Sequence, residues 1–163
     1  GTGRVLELLG PRVREGLGVD ASTAMLALAR ARLARAGLPH CAVRLADMYR
    51  LPLPAGGFDL VVLQMVLHYA EAPERVLTEA ARILAPGGRL IVIDLAAHAR
   101  ADLAAKLAHR WPGFHDDALG RMLTEAGLNP GAPLAIPAGT PDGLAVRLWT
   151  AAVPARVPHE LVS

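Results

Sequence analysis

The chain has 163 residues, a length that favours one domain. Hydrophobic residues make up 53% and charged residues 20%, enough to build a core and too apolar for intrinsic disorder. Lysine plus arginine total 17 against 15 acids, a formal +2, and aromatics are only 4%. That is neither a nucleic-acid footprint nor a stacking platform for single strands.

Arg4 to Leu9 sets Val5, Leu8 and Leu9 at helical spacing, and Gly10-Pro11 breaks the pattern. Leu17-Gly18-Val19-Asp20 reads as a short buried strand ending in an acid. Ser22 suits an N-cap for a helix over Thr23–Ala36, closed by Gly37. Cys41 to Leu45 alternates as a strand, Asp47 to Gly57 is a Pro/Gly loop, and Phe58 to Leu63 is a buried strand. Pro73 to Leu84 is amphipathic, with Val76, Leu77, Ala80 and Leu84 on one face. Pro86-Gly87-Gly88 turns into the strand Arg89–Leu95. Helical stretches over Arg100–Ala108 and His115–Ala126 follow, the second ending at Gly127. Ala132–Ile136 and Leu144–Ala151 read as an antiparallel pair around a turn at Pro137–Gly143.

Cys41 is the sole cysteine, which excludes an intrachain disulfide and a Cys-rich zinc site. That usage fits a reducing, cytoplasmic setting. No apolar run reaches the ~18 residues that span a bilayer, so no membrane partner is expected. Strands alternating with helices imply an α/β class, a parallel sheet with helices on both faces. Ligands in such sheets bind at the carboxyl ends of the strands. The residues just past each strand are Asp20, Asp47, Gln64 to Tyr69, and Leu95 to His98.

Five segments then carry a family likeness. They are Gly1-Thr2-Gly3-Arg4; Val19-Asp20 with Ser22 and Met25; Ala46-Asp47-Met48 before Leu51-Pro52; Phe58-Asp59-Leu60-Val61-Val62; and Arg82-Ile83-Leu84 with Pro86-Gly87-Gly88-Arg89-Leu90. In this order and spacing they resemble the motifs of class I S-adenosylmethionine-dependent methyltransferases. The group is the large small-molecule one that includes ubiquinone/menaquinone-type enzymes, and the likeness covers essentially the whole chain. Gln64-Met65-Val66-Leu67-His68-Tyr69, His98, His109-Arg110 and Gly113-Phe114 further resemble the methyltransferase domain fused behind ArsR-type winged-helix regulators.

The resemblance implies a Rossmann-like, doubly wound, mostly parallel sheet with a C-terminal antiparallel strand pair. It implies a methyltransferase domain over residues 1–153 and a tail over 154–163. The family's first strand, central in its sheet, has no counterpart before Gly1, so the natural protein is expected to extend upstream. S-adenosylmethionine is the implied cofactor and a small molecule the expected acceptor. No nucleic acid is expected for this domain itself. An upstream winged helix and a homodimer are the further partners considered.

The cofactor-binding candidates are Gly1, Gly3, Asp20, Met25, Asp47, Met48 and Gln64. Gly1 and Gly3 let the backbone approach the methionine part of the ligand, or else form a loose terminus. Asp20 can accept from both ribose hydroxyls, or cap the helix near Ser22. Asp47 can accept from the adenine amino group while Met48 packs on the ring; the plain alternative is a solvated acid beside a core methionine. Met25 touches the ribose side or fills core, and Gln64 meets the cofactor or a loop. His68, Tyr69 and His98 are the candidates to face the acceptor, an imidazole serving as base or hydrogen-bond partner or else packing.

His98, His109 and His115 with Asp116 and Asp117 show no compact metal-ligand spacing, and no metal is expected. Cys41 is expected to be packed, and Arg30, Arg32 and Arg35 to form a solvated face. The rival functions are a regulator domain that binds S-adenosylmethionine or S-adenosylhomocysteine without turnover, and a nicotinamide-dependent oxidoreductase, which shares the glycine loop and strand-end acid. The Pro86-Gly87-Gly88 turn and the Asp47-Met48 loop favour the methyltransferase over the latter.

Overall fold

The computed structural model describes residues 1–98, 110–136 and 143–155. The helix expected over Arg100–Ala108, His109, most of the Pro137–Gly143 turn, and residues 156–163 lie outside them. The chain forms two compact units, Gly1–Pro52 and Leu53–Ser163.

The first unit runs α1 (Arg4–Leu9), a 3-10 turn (Gly10–Arg12), β1 (Gly16–Asp20), α2 (Thr23–Arg35) and β2 (Cys41–Leu45). β1 and β2 pair in parallel from Gly16↔Cys41 to Asp20↔Leu45, so both carboxyl ends finish level. Ser22 caps α2 as expected, its Oγ accepting from the Met25 N–H at 3.3 Å. Gly37 ends the helix region at φ 65°, a conformation that glycine adopts without a Cβ clash. Leu33, Leu38 and Cys41 form the core, with Leu6 and Val43 packed against it. Gly16 makes this possible. A Cβ there would lie 2.8 Å from Cys41 Sγ and 3.0 Å from Leu6 Cδ2.

The second unit holds β3 (Phe58–Gln64), a 3-10 turn (Leu67–Tyr69), α3 (Pro73–Ile83), β4 (Leu84–Leu95), α4 (Asp116–Glu125), β5 (Asn129–Pro130), β6 (Leu134–Ile136) and β7 (Val146–Ala152). The sheet order is β3-β4-β7-β5, with β6 also on β7. β3 and β4 are parallel. β7 is antiparallel to β4, β5 and β6. The C-terminal antiparallel pair is therefore present, as β6 and β7. The two-residue β5 was not anticipated; its Asn-Pro sequence carries no strand signal.

α3 starts with Pro73 in its first turn and buries Val76, Leu77, Ala80 and Ile83. The Pro86-Gly87-Gly88 turn does not precede the next strand but interrupts it. Phe58 pairs with Leu84 and Leu60 with Arg89, so Ala85 to Gly88 loop out opposite Asp59 alone. Gly87 sits at φ 77° to close that excursion.

One further expectation is corrected. Phe58 to Leu63 is only half-buried, with Asp59 and Leu60 exposed. Among the described residues β3 pairs with β4 alone. An apolar run reports strand length but not how many sides are covered. β4 is the buried one, with Leu90, Val92, Asp94 and Leu95 in the interior.

Candidate functional site

In the first unit, the carboxyl edge of β1 and β2 gathers most of the expected cofactor residues. Asp20 ends β1, half-buried, and its carbonyl accepts from the Ala46 N–H at 3.2 Å, tying the two strand ends together. Its carboxylate faces two ways. Oδ1 accepts from the Ser22 N–H at 2.7 Å. Oδ2 accepts from the Gly1 nitrogen, so the glycine segment and the acid meet, although 19 residues separate them. The helix cap belongs to Ser22, not to Asp20.

Gly3 has φ 79° and stands at the N-cap of α1. A Cβ there would come to 3.0 Å from the Ala29 Cβ, so the glycine lets the segment lie directly on α2. Arg32 fixes it from the same helix. Its guanidinium donates to Thr2 Oγ1 at 2.9 Å and to the Thr2 carbonyl at 3.2 Å. The expectation of a wholly solvated arginine face is thus corrected for Arg32, which the helical turn aims at the glycine segment. Arg30 and Arg35 are exposed as expected.

Asp47 lies two residues past β2 on the same edge, exposed, with Oδ1 accepting from the Tyr49 N–H at 2.9 Å. Its carbonyl accepts from the Arg50 N–H at 3.2 Å, which closes a tight turn. Met48 within that turn is half-buried, as is Met25 in the first turn of α2. Cys41 is packed in the core, and burial pushes its thiol above the ordinary cysteine value.

In the second unit, Gln64 ends β3 with its side chain exposed, in register with Ile93 of β4. Met65 follows at φ 51°, an unusual conformation for a residue with a Cβ, held by its N–H to the Ile93 carbonyl at 2.8 Å. The chain then turns inward. His68 is 1% exposed and Asp94 of β4 is 0% exposed, with His68 Nδ1 and Asp94 Oδ1 2.6 Å apart. Asp94 Oδ2 accepts from the Leu67 N–H at 2.9 Å and the Val66 N–H at 3.2 Å, and Oδ1 from the Leu95 N–H at 2.8 Å. The His68 carbonyl accepts from Arg110 and Trp111 at 2.9 and 3.1 Å. One buried carboxylate thus anchors the segment after β3, and His68 passes that anchorage to residues 110–111.

Asp94 is the residue that sequence reasoning missed. Its signal was present: it is the sole charge in the apolar run Leu90 to Leu95. Of the acceptor-facing candidates, the structure buries His68 as a positioning group, whereas Tyr69 is 46% exposed beside it, the ring centroids 4.0 Å apart. His98, just past the carboxyl end of β4, lines a cavity of about 560 Å³ with Trp111 and Phe114. Asp116 is engaged elsewhere, accepting from Arg147 at 2.7 Å and from the Trp149 Nε1–H at 3.0 Å. Among the described residues no cluster of three or more His, Cys, Asp or Glu is placed to hold a metal, and no helix is long and apolar enough to cross a membrane.

Parallel strand pairs flanked by helices, with an antiparallel C-terminal extension, define a Rossmann-like α/β methyltransferase fold. YcgJ of Bacillus subtilis has the same fold, with a TM-score of 0.79 at 17% identity over 96% of this chain and 89% of that one. So does geranyl diphosphate C-methyltransferase from Streptomyces coelicolor A3(2), solved with Mg2+, geranyl diphosphate and S-adenosyl-L-homocysteine. Its TM-score is 0.77 at 15% identity, over 93% of this chain and 67% of that one. The model of the methyltransferase domain family matches residues 1–92, and the chain belongs to that family. It is 37% identical over 123 residues to phosphatidylethanolamine N-methyltransferase of Cereibacter sphaeroides, covering 72% of this chain and 60% of that protein's length.

Proposed function

We propose that this chain transfers the methyl group of S-adenosylmethionine to a small-molecule acceptor. The observation that carries the reading is the gathering of Gly1, Asp20 and Asp47 at one carboxyl edge of β1 and β2. Two carboxylates there suit a nucleoside, which presents hydroxyl and amino donors and asks for acceptors. The glycine segment adds a stretch of backbone with no side chain in the way. Two carboxylate acceptors and an open stretch of backbone therefore fit the cofactor.

When bound, the cofactor supplies an electrophilic methyl group on a sulfonium, so the protein needs no nucleophile of its own. Asp20 accepts from the ribose hydroxyls, with Ser22 and the tie to Ala46 holding its strand end in place. Asp47 accepts from the adenine amino group, and the half-buried Met48 lends a polarisable thioether to the ring face. Gln64 is the second unit's candidate to meet the cofactor and Tyr69 its candidate to face the acceptor, and the buried His68–Asp94 pair fixes the backbone that presents them. Alignment of this kind can lower a barrier by up to ~7–11 kcal/mol.

The test is calorimetric titration with S-adenosylhomocysteine, with NADH as the control. Binding of the former alone is the expected result. At ~100 times the dissociation constant, the ligand should add about 2.7 kcal/mol of stability in a thermal melt. A folded chain that binds neither, or prefers NADH, overturns the proposal.

A further inference from the structure

Two residues on one face of α2 hold the glycine segment, and they hold it differently. Ala29 is buried and gives it a floor; a Cβ on Gly3 would lie 3.0 Å from the Ala29 Cβ. Arg32, about one helical turn further on, gives it a clamp. A single nitrogen, Nη1, donates both to Thr2 Oγ1 at 2.9 Å and to the Thr2 carbonyl at 3.2 Å. The guanidinium is itself steadied, because its Nε lies 3.7 Å from Glu7 Oε2, which Arg4 engages at 2.7 Å. The Glu7 N–H donates to the Gly3 carbonyl at 2.9 Å, so α1 grips the other end of the segment.

The clamp has an energetic consequence. Gly1 and Gly3 give the segment more backbone freedom than other residues would, and fixing it costs correspondingly more. Where the protein has already fixed it, a ligand does not bear that cost on binding. The segment meets Asp20 at the end of β1, level with the end of β2 that leads to Asp47. Those carboxylates suit the hydroxyl and amino donors of a nucleoside and repel the carboxylate of an amino acid. The amino-acid end of the cofactor is thus directed to the glycine segment, which supplies backbone rather than acids.

We infer that Arg32 is a positioning residue for the amino-acid end of the cofactor: through Thr2 it holds the glycine segment in the form that this end binds. The inference rests on the methyltransferase reading for the identity of the ligand. It assigns to Arg32 an effect on one half of that ligand, because the nucleoside half is left to Asp20 and Asp47. It also separates Arg32 from Arg30, which is exposed on the same helix and carries the same charge.

Calorimetric titration of the whole chain with two ligands tests it: S-adenosylhomocysteine, and methylthioadenosine, which keeps the nucleoside and lacks the amino-acid end. The unmodified chain should bind both, the first more tightly. Arg32→Ala should weaken S-adenosylhomocysteine about tenfold and leave methylthioadenosine within about twofold. Thr2→Val, which removes the Oγ1 acceptor and keeps the carbonyl, should give a smaller loss of the same selective kind. Arg30→Ala should move neither affinity. A purely structural role would weaken both ligands alike, and that result overturns the inference, as does an Arg32→Ala chain that binds both unchanged. If a thermal melt shows Arg32→Ala to be unfolded, Thr2→Val decides by the same two affinities. An unmodified chain that binds both ligands equally removes the inference and leaves the methyltransferase. One that binds neither removes both readings.

Discussion

Two aspartates end or nearly end parallel strands, Asp20 on β1 and Asp94 on β4, and their surroundings are opposite. Asp20 keeps 23% of its side chain exposed and takes one backbone amide, from Ser22, together with the Gly1 nitrogen. Asp94 is wholly buried and takes three backbone amides and an imidazole. The same residue type at a similar place in a strand does two jobs. Where the carboxylate stays near solvent, its lone pairs can be offered to a ligand. Where it is buried, they are consumed by the protein, and the carboxylate becomes the post around which two segments are wound.

The comparison breaks most visibly at Asp94. Asp94→Ala should cost ~3–5 kcal/mol in denaturant unfolding, because it strands an imidazole and three amides in the interior. Asp94→Asn, which retains an acceptor oxygen, should cost clearly less. A loss below ~1 kcal/mol for the alanine variant would show that Asp94 is not the anchor described. Gly113→Ala comes next. It combines a left-handed backbone with a Cβ pressed on Ala96, and should cost ~1–3 kcal/mol. Its readout is the same unfolding titration, joined by a change in near-ultraviolet circular dichroism from Trp111.

Asp20 should behave the other way round. Asp20→Asn should leave the unfolding midpoint almost unmoved. It should weaken S-adenosylhomocysteine by about ten- to a hundredfold, the worth of a charged hydrogen-bond acceptor, ~1.5–3 kcal/mol. Calorimetry measures the second and a chemical melt the first. Lost stability with unchanged affinity would make Asp20 a second Asp94.

The sequence carried the elements well, because each has a local cause. Ser22 and Gly37 bracket α2, Pro73 opens α3, and the apolar face of α3 has helical spacing. The strand-end acid Asp20 was legible for the same reason, since it follows a strand and precedes a cap. What stayed hidden was nonlocal. His68 and Asp94 are 26 residues apart, and no pattern along the chain announces that they touch. Arg32 looked like one of three surface arginines until the turn of α2 aimed it at Thr2. The exposure of β3 depends on which strands pair with it, which its own residues do not encode. Pro86-Gly87-Gly88 has the same glycines whether it turns into a strand or loops out within one, so the excursion at Ala85 to Gly88 is not legible along the chain.

The smallest effect sharpens the contrast most finely. Asp20 and Ser22 share one corner, where a strand-end acid could owe its place to capping the helix rather than to a ligand. The structure divides the work: the Ser22 Oγ caps α2 through Met25, while the Ser22 N–H serves Asp20. Ser22→Ala removes the first bond and keeps the second. It should cost ~1 kcal/mol of stability, as the loss of a serine cap does. The affinity for S-adenosylhomocysteine should stay within about twofold, since the donor that orients Asp20 is main chain. If affinity instead falls as far as in Asp20→Asn, the hydroxyl and the carboxylate act as one group. The cap would then belong to the binding site rather than to the helix.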